Sequence, residues 1–285
     1  MKKTALLSVH DKTELEALAK ALSERGYDLL SSSGSAARIR ESGLPVREVS
    51  DLTGFPHIME GRVKTLHPKI FGGILARREH PVDEADAKRH DIPMIDMVVC
   101  NLYPFEETAK LDSSLEDLLD NIDIGGVSLI RAAAKNYRNV VVLTDPTDYA
   151  LVVEEIDAEG DITLPTRQRL ALKAFRKTSG YDATIHDGLS DALGVERDVL
   201  PEESVMRLRK VMPLRYGENP HQSAALYEPV FSDMPFDVLG GKEISYNNIL
   251  DIDSAMRGLA MLGSSCAALI IKHTTPCGRA VGATP

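Results

Sequence analysis

The stretch Gly61-Arg62-Val63-Lys64-Thr65-Leu66-His67-Pro68-Lys69 places Arg62, Lys64, His67 and Lys69 within eight residues, with Glu60 as the nearest acid. The chain as a whole carries a net charge of −10. A local cationic segment in an acidic protein fits a bound anion, and it also fits a solvated basic loop. Two more segments suit the same anion. Ser31-Ser32-Ser33-Gly34-Ser35 follows a short apolar run and opens a helical stripe, so backbone N–H groups and hydroxyls would converge there, although a plain N-cap turn has the same signature. Lys12 follows the first apolar run in the same way. Three further motifs carry reaction chemistry. Tyr103, in Asn101-Leu102-Tyr103-Pro104-Phe105, either donates to a developing oxyanion or packs in a core. Asp123 precedes Gly125-Gly126, a pair that permits close backbone approach to a ligand. Lys135, the polar exception in Arg131-Ala132-Ala133-Ala134-Lys135-Asn136, forms with Asp123 either a structural ion pair or a proton-transfer couple.

The elements that must position these residues alternate between strand and helix signals. Thr4 to Val9 is a short apolar run. Thr13-Glu14-Leu15-Glu16 has capping-box spacing, and Leu15, Leu18, Ala19 and Leu22 then recur at helical intervals up to Gly26. Asp28 to Ser32 is a second strand, Ser35 to Ser42 a helix closed by Gly43, and Val46 to Val49 a third strand. Met97 to Cys100 and Val140 to Leu143 are continuous apolar runs, as expected of parallel strands buried on both faces. The predicted class is an α/β doubly wound, mostly parallel sheet. In such sheets ligands sit beyond the C-terminal strand ends, so Lys12, Ser32 to Ser35 and the Arg62–Lys64 segment would meet in one crevice. Leu66-His67-Pro68 reads as extended because a residue before proline avoids the helical region, and the non-helical segment is expected to continue into Gly72-Gly73.

From Pro165 onward Leu170, Ala174, Phe175, Thr178, Tyr181 and Ile185 form a long helical stripe. Residues 194–201 are charged and read as a linker. A second unit begins near Met206, with a helix around Asn248 to Leu262 and a strand from Ala267 to Ile271. The expected division is 1–198 and 199–285. About 80 residues with few helices is small for an independent domain, so the second domain is expected to be incomplete.

The bulk numbers exclude several classes. A pI near 5.3 and the absence of Trp argue against broad nucleic-acid binding. No apolar run approaches a membrane span, and the apolar stretch after Met1-Lys2-Lys3 is too short for a signal peptide. Cys100, Cys266 and Cys277 have no CxxC spacing, which points to a reduced, cytoplasmic protein without structural zinc.

Taken in order, the motifs resemble a known family. S-V-H-D-K-T (8–13), S-S-S-G-S-A-A-R (31–38), T-G-F-P (53–56), R-V-K-T-L-H-P (62–68), N-L-Y-P-F (101–105), N-I-D-I-G-G (121–126) and R-A-A-A-K-N (131–136) are similar to the IMP cyclohydrolase half of the AICAR transformylase/IMP cyclohydrolase family of purine biosynthesis. M-P-L-R-Y-G-E-N-P-H-Q (212–222) and K-H-T-T-P-C-G (272–278) resemble the start of its transformylase half. The resemblance implies a methylglyoxal-synthase-like fold followed by an incomplete cytidine-deaminase-like α/β domain. It implies closure of 5-formamidoimidazole-4-carboxamide ribotide to IMP with loss of water, without cofactor or metal, in a homodimer. Lys12, Ser32, Ser33, Gly34, Ser35, Arg62, Lys64 and Thr65 would hold the 5′-phosphate and ribose. Asn101, Gly125 and Gly126 would also bind substrate, and Lys64, Tyr103, Asp123 and Lys135 would surround the reacting groups. Arg215, Tyr216, Lys272 and His273 would serve the transformylase half, whose co-substrate is 10-formyltetrahydrofolate. That activity is expected of the full-length protein and not of these 285 residues alone.

The chain departs from the family at several positions. His10 stands where Ser is frequent, Ser32 to Ser35 where a T-G-G-T-like loop is frequent, and Phe71 and Tyr137 where His is common. Ser33 in place of glycine is expected to remodel the phosphate loop slightly. Thr275 stands where Asn is frequent. His67 and Lys69 are assigned no chemistry. A methylglyoxal-synthase-type lyase, a ligand-sensing module of the same fold and an inactive fragment are the competing readings.

Overall fold

The computed structural model describes residues 2–110, 113–195, 202, 205–230, 234–263 and 266–283. They fall into two units, Met1–Leu200 and Pro201–Pro285. From residue 196 to 201 the expected linker lies outside the described residues.

The first unit is built on five parallel strands: β1 (Thr4–Ser8), β2 (Asp28–Ser31), β3 (Arg47–Glu48), β4 (Met97–Cys100) and β5 (Val141–Leu143), in the order β3-β2-β1-β4-β5. Every residue of β4 and β5 is buried, as their unbroken apolar runs require. The helices are α1 (Leu15–Glu24), α2 (Ser33–Glu41), α3 (Val49–Thr53), α4 (Pro68–Leu75), α5 (Pro81–Arg89), α6 (Phe105–Lys110), α7 (Leu115–Asp120), α8 (Gly125–Lys135), α9 (Tyr149–Glu159) and α10 (Leu164–Ala192). Leu15, Leu18, Ala19 and Leu22 turn the apolar face of α1 inward, each buried leucine contributing about 1.5–3 kcal/mol. In α8, Ala132, Ala133 and Ala134 are small enough for the helix to lie against β4, β5 and α10. The order of the strands reverses direction between β1 and β4, whose last residues, Ser8 and Cys100, are paired. That is where a doubly wound sheet opens a crevice.

Three local expectations are corrected. The Thr13–Glu16 capping box does not form: the Thr13 hydroxyl donates to Asp11 Oδ1 at 2.7 Å, and Glu14 precedes α1 in a left-handed conformation without a side-chain cap bond. Gly72-Gly73 is helical rather than extended. Pro68 occupies the first turn of α4, and His67, itself extended, accepts the N–H of Lys69. The glycines are there for packing: a Cβ at Gly73 would lie 2.3 Å from the Pro93 carbonyl oxygen. The third strand is only Arg47–Glu48, because Val49 already begins α3.

The second unit contains two antiparallel hairpins, β6 (Leu208–Leu214) with β7 (Ala224–Pro229) and β8 (Cys266–Lys272) with β9 (Thr275–Gly282). Helix α11 (Tyr246–Leu262), opened by a Ser245/Asn248 capping box, packs on β8 and β9.

Candidate functional site

A cleft of about 690 Å³ lies at the C-terminal ends of β1 and β4. At one end the N-terminus of α2 delivers Ser32, Ser33, Gly34 and Ser35, and Lys12 from the β1–α1 loop lies beside Gly34. The loop is cross-braced. Ser35 Oγ accepts the N–H of Val9 at 3.1 Å and donates to its carbonyl at 3.0 Å, while Ser8 Oγ and Ser32 Oγ share a bond of 3.0 Å. Ser33 has φ +38°, a left-handed conformation that is strained for a residue with a Cβ, and its hydroxyl meets His57 Nδ1 at 3.3 Å. The loop thus holds a serine in a conformation that glycine adopts more readily.

Arg62, Lys64 and Thr65 line the same wall. Arg62 pairs with Asp120 at 2.5 Å, and both side chains are exposed at the rim. Lys64 folds over Gly61, which has φ +84° and whose added Cβ would lie 2.4 Å from Lys64 Cε. Thr65 is buried beside Gly125.

The other end of the cleft carries Asn101, Tyr103, Asp123, Gly125 and Gly126. Asn101 ties two loops together: its Oδ1 accepts the N–H groups of His10 at 2.7 Å and Asp11 at 2.9 Å, and its Nδ2 donates to the Asp11 carbonyl at 2.8 Å. Asp123 is half-buried ahead of α8, and its Oδ1 accepts the Gly126 N–H at 2.7 Å. Burial pushes the Asp123 carboxyl above the usual carboxylate range, against the backbone N–H groups of Gly126 and Tyr103 and the charges of Lys64 and His10. Burial also raises the Tyr103 phenol, with Asp123 and Cys100 adding to the shift. The phenol is thus kept protonated and able to donate. The Cys100 thiol is fully buried and held well above its ordinary range, so it stays protonated.

The cleft brings together Lys12, Ser32, Ser33, Gly34, Ser35, Arg62, Lys64, Thr65, Asn101, Tyr103, Asp123, Gly125 and Gly126. It does not bring in Lys135. That residue is exposed at the last position of α8, about 15 Å along the helix from Gly125, so Asp123 and Lys135 do not form a couple within one chain. Two residues that line or brace the site have no local sequence signal, Asp120 on its wall and Tyr181, which reaches it from α10. Ser8 and His10 also line it and belong to the S-V-H-D-K-T motif, which assigns them no role. Among the described residues, no group of three or more His, Cys, Asp or Glu side chains is placed to hold a metal ion, and no helix is long and apolar enough to cross a membrane.

In the second unit, the Arg215 guanidinium lies 4.8 Å from the centre of the Tyr216 ring and donates to its hydroxyl at 3.1 Å. Arg215 holds the Tyr216 phenol below its ordinary pKa. Lys272 ends β8, and His273 and Thr274 form the tight turn into β9 with φ of +51° and +61°. Among the described residues, no hydrogen bond or ion pair joins the Arg215–Tyr216 pair to that turn.

The chain spans 56% of the length of one curated relative, the Bifunctional purine biosynthesis protein PurH of Persephonella marina (strain DSM 14350 / EX-H1), and is 47% identical to it over 290 residues that cover 100% of the chain. The crystal structure of ForH superposes with a TM-score of 0.58 at 34% identity, covering 66% of this chain and 98% of that one. The pattern of an MGS-like domain matches residues 14–128, which include Ser32 to Ser35, Arg62, Lys64, Tyr103 and Asp123. The pattern of the AICARFT/IMPCHase bienzyme matches residues 133–285, more than half of the sequence, and the chain belongs to that family.

Proposed function

We propose that the first unit is an IMP cyclohydrolase, closing 5-formamidoimidazole-4-carboxamide ribotide to IMP with loss of water. One observation carries this reading: a single cleft joins a phosphate-type end (Lys12, Ser32 to Ser35, Arg62) to an acid–base end (Lys64, Tyr103, Asp123). The cations and the N-terminus of α2 would hold the 5′-phosphate. Asp123, whose burial raises its basicity, would take a proton from the carboxamide nitrogen as that nitrogen attacks the formyl carbon. Tyr103 and Lys64 would stabilise and then protonate the formyl oxygen. Loss of the formamido proton, with departure of the oxygen as water, completes the second ring. Because both reacting groups belong to one molecule, holding its two ends supplies much of the acceleration through orientation.

A role for Lys135 requires that it reach the cleft of a second copy of the chain, which agrees with a homodimer. In the second unit, Arg215, Tyr216, Lys272 and His273 would contact the ribotide that accepts a formyl group from 10-formyltetrahydrofolate in the whole protein. The cyclohydrolase assay follows the absorbance of IMP formed from the formylated ribotide, with dihydroxyacetone phosphate as the alternative substrate. IMP formation supports the reading, and turnover of dihydroxyacetone phosphate alone would replace it with a lyase.

A further inference from the structure

We propose that His10 is a positioning residue for this ring closure: its imidazole, packed perpendicular to the phenol of Tyr103, sets the direction in which the Tyr103 hydroxyl meets the substrate. The proposal rests on the cyclohydrolase reading and adds a residue to it. His10 lines the cleft between Lys12 at the phosphate end and Tyr103 and Asp123 at the reacting end. The two rings have centroids 5.1 Å apart and an interplanar angle of 86°, the edge-to-face arrangement that aromatic pairs favour.

The His10 backbone is held in place beneath an exposed ring. Its backbone N–H donates to Asn101 Oδ1 at 2.7 Å, and its carbonyl accepts Lys12 Nζ at 3.2 Å. Asn101 lies two residues before Tyr103, so the bonds that fix the His10 backbone also fix the loop that carries the phenol. Tyr103 sits on the cleft wall with 36% of its surface exposed. A phenol so exposed has rotational freedom that a perpendicular ring removes, and misdirection of one donor by about 1 Å is enough to slow a reaction substantially. The charged groups that interact with His10 include Asp11 and Lys12 on its own loop and Asp123 ahead of α8. The imidazole acts through the Tyr103 ring, so a ring without titratable nitrogens should serve as well.

The test measures kcat and KM for His10→Ala and His10→Phe, each in the unsubstituted chain and in a Tyr103→Phe background. His10→Ala is expected to lower kcat roughly tenfold while KM stays within about twofold, and His10→Phe to keep kcat within about threefold. In the Tyr103→Phe background, His10→Ala is expected to cost nothing further. Equal losses in the two backgrounds would overturn the proposal, as would a His10→Phe variant as slow as His10→Ala or an unchanged kcat in His10→Ala. The ring contact has its own readout in the ligand-free protein, a shift of the Tyr103 ring resonances on His10→Ala, and no shift overturns it. An unsubstituted chain that forms no IMP removes the cyclohydrolase reading and this proposal together. An active chain indifferent to His10 removes the proposal alone.

Discussion

The Tyr181 hydroxyl accepts the backbone N–H of Asp123 at 2.9 Å and donates to the Asn121 carbonyl at 3.1 Å. A residue in the middle of the long helix α10 thus clamps both sides of the turn that presents the candidate base. Its ring packs edge-on against Phe105, with centroids 6.5 Å apart. Tyr181→Phe keeps that packing and leaves the two backbone groups without their partner. The expected cost is about 1–3 kcal/mol of stability, together with a several-fold lower kcat at nearly constant KM. Thermal unfolding and steady-state kinetics check both; an unchanged kcat would show that the turn holds its shape unaided.

Asp123→Ala and Lys64→Ala are each expected to lower IMP formation by at least ~10²-fold, the lower range for a single acid–base or oxyanion contributor. Ribotide binding should survive in Asp123→Ala, since the phosphate end is untouched. Full turnover in both variants would remove the assignment of the reacting end.

The raised carboxyl of Asp123 has a signed consequence for stability. Its folded pKa lies above its unfolded one because burial outweighs the opposing hydrogen bonds and charges. The stability contributed by the protonated form is fully present below the unfolded value and is lost as pH rises through the folded one. Asp123→Asn stays neutral throughout, so it is expected to unfold at a higher temperature than the parent near neutral pH. That gain should shrink as pH falls toward the ordinary carboxylate range of about 4. Paired melting curves across this window check the sign, and a gain that grows on acidification would contradict it. Turnover of the parent should rise with pH through the same window as the base becomes ionised.

Gly126 has ordinary helical backbone, so its importance is spatial. A Cβ there would lie 2.6 Å from Asp123 Oδ2 and 2.9 Å from Leu102 Cδ2. Gly126→Ala is expected to displace the carboxylate, lowering kcat at least about tenfold and costing about 1–3 kcal/mol by overpacking. Activity and melting temperature equal to the parent would mean that the turn can yield.

Lys135→Ala tests whether a second copy completes the cleft. If it does, Lys135→Ala and Asp123→Asn are each nearly inactive alone, and an equimolar, re-equilibrated mixture regains about a quarter of the parent rate, since half the dimers then carry one intact site. A Lys135→Ala variant as active as the parent takes Lys135 out of the mechanism.

Much of this was legible in the sequence for definable reasons. Met97–Cys100 announced itself because burial on both faces demands an unbroken apolar run, and the meeting of Lys12, Ser32 and Lys64 followed from where strands deliver their loops. The misreadings are local competitions. Asp11 captured the Thr13 hydroxyl that a capping box would use, and the close neighbours of Gly72 and Gly73 required glycine within a helix. The distance from Asp123 to Lys135 was available from helix rise alone. Tyr181 and Asp120 reach the site across about 58 residues of chain, and no spacing rule reports such contacts.

The Arg62–Asp120 pair at the mouth of the cleft would make anion capture by Arg62 an exchange of partners. A phosphate ester that used Arg62 would compete with the Asp120 carboxylate for this exposed guanidinium. Added salt weakens the old pair and the new one alike, so Arg62 should contribute less than a full charge to the salt dependence of ligand affinity. The rim would then favour charged ligands: a neutral nucleoside would have nothing to set against Asp120, whereas a phosphate dianion would compensate for the bond it breaks.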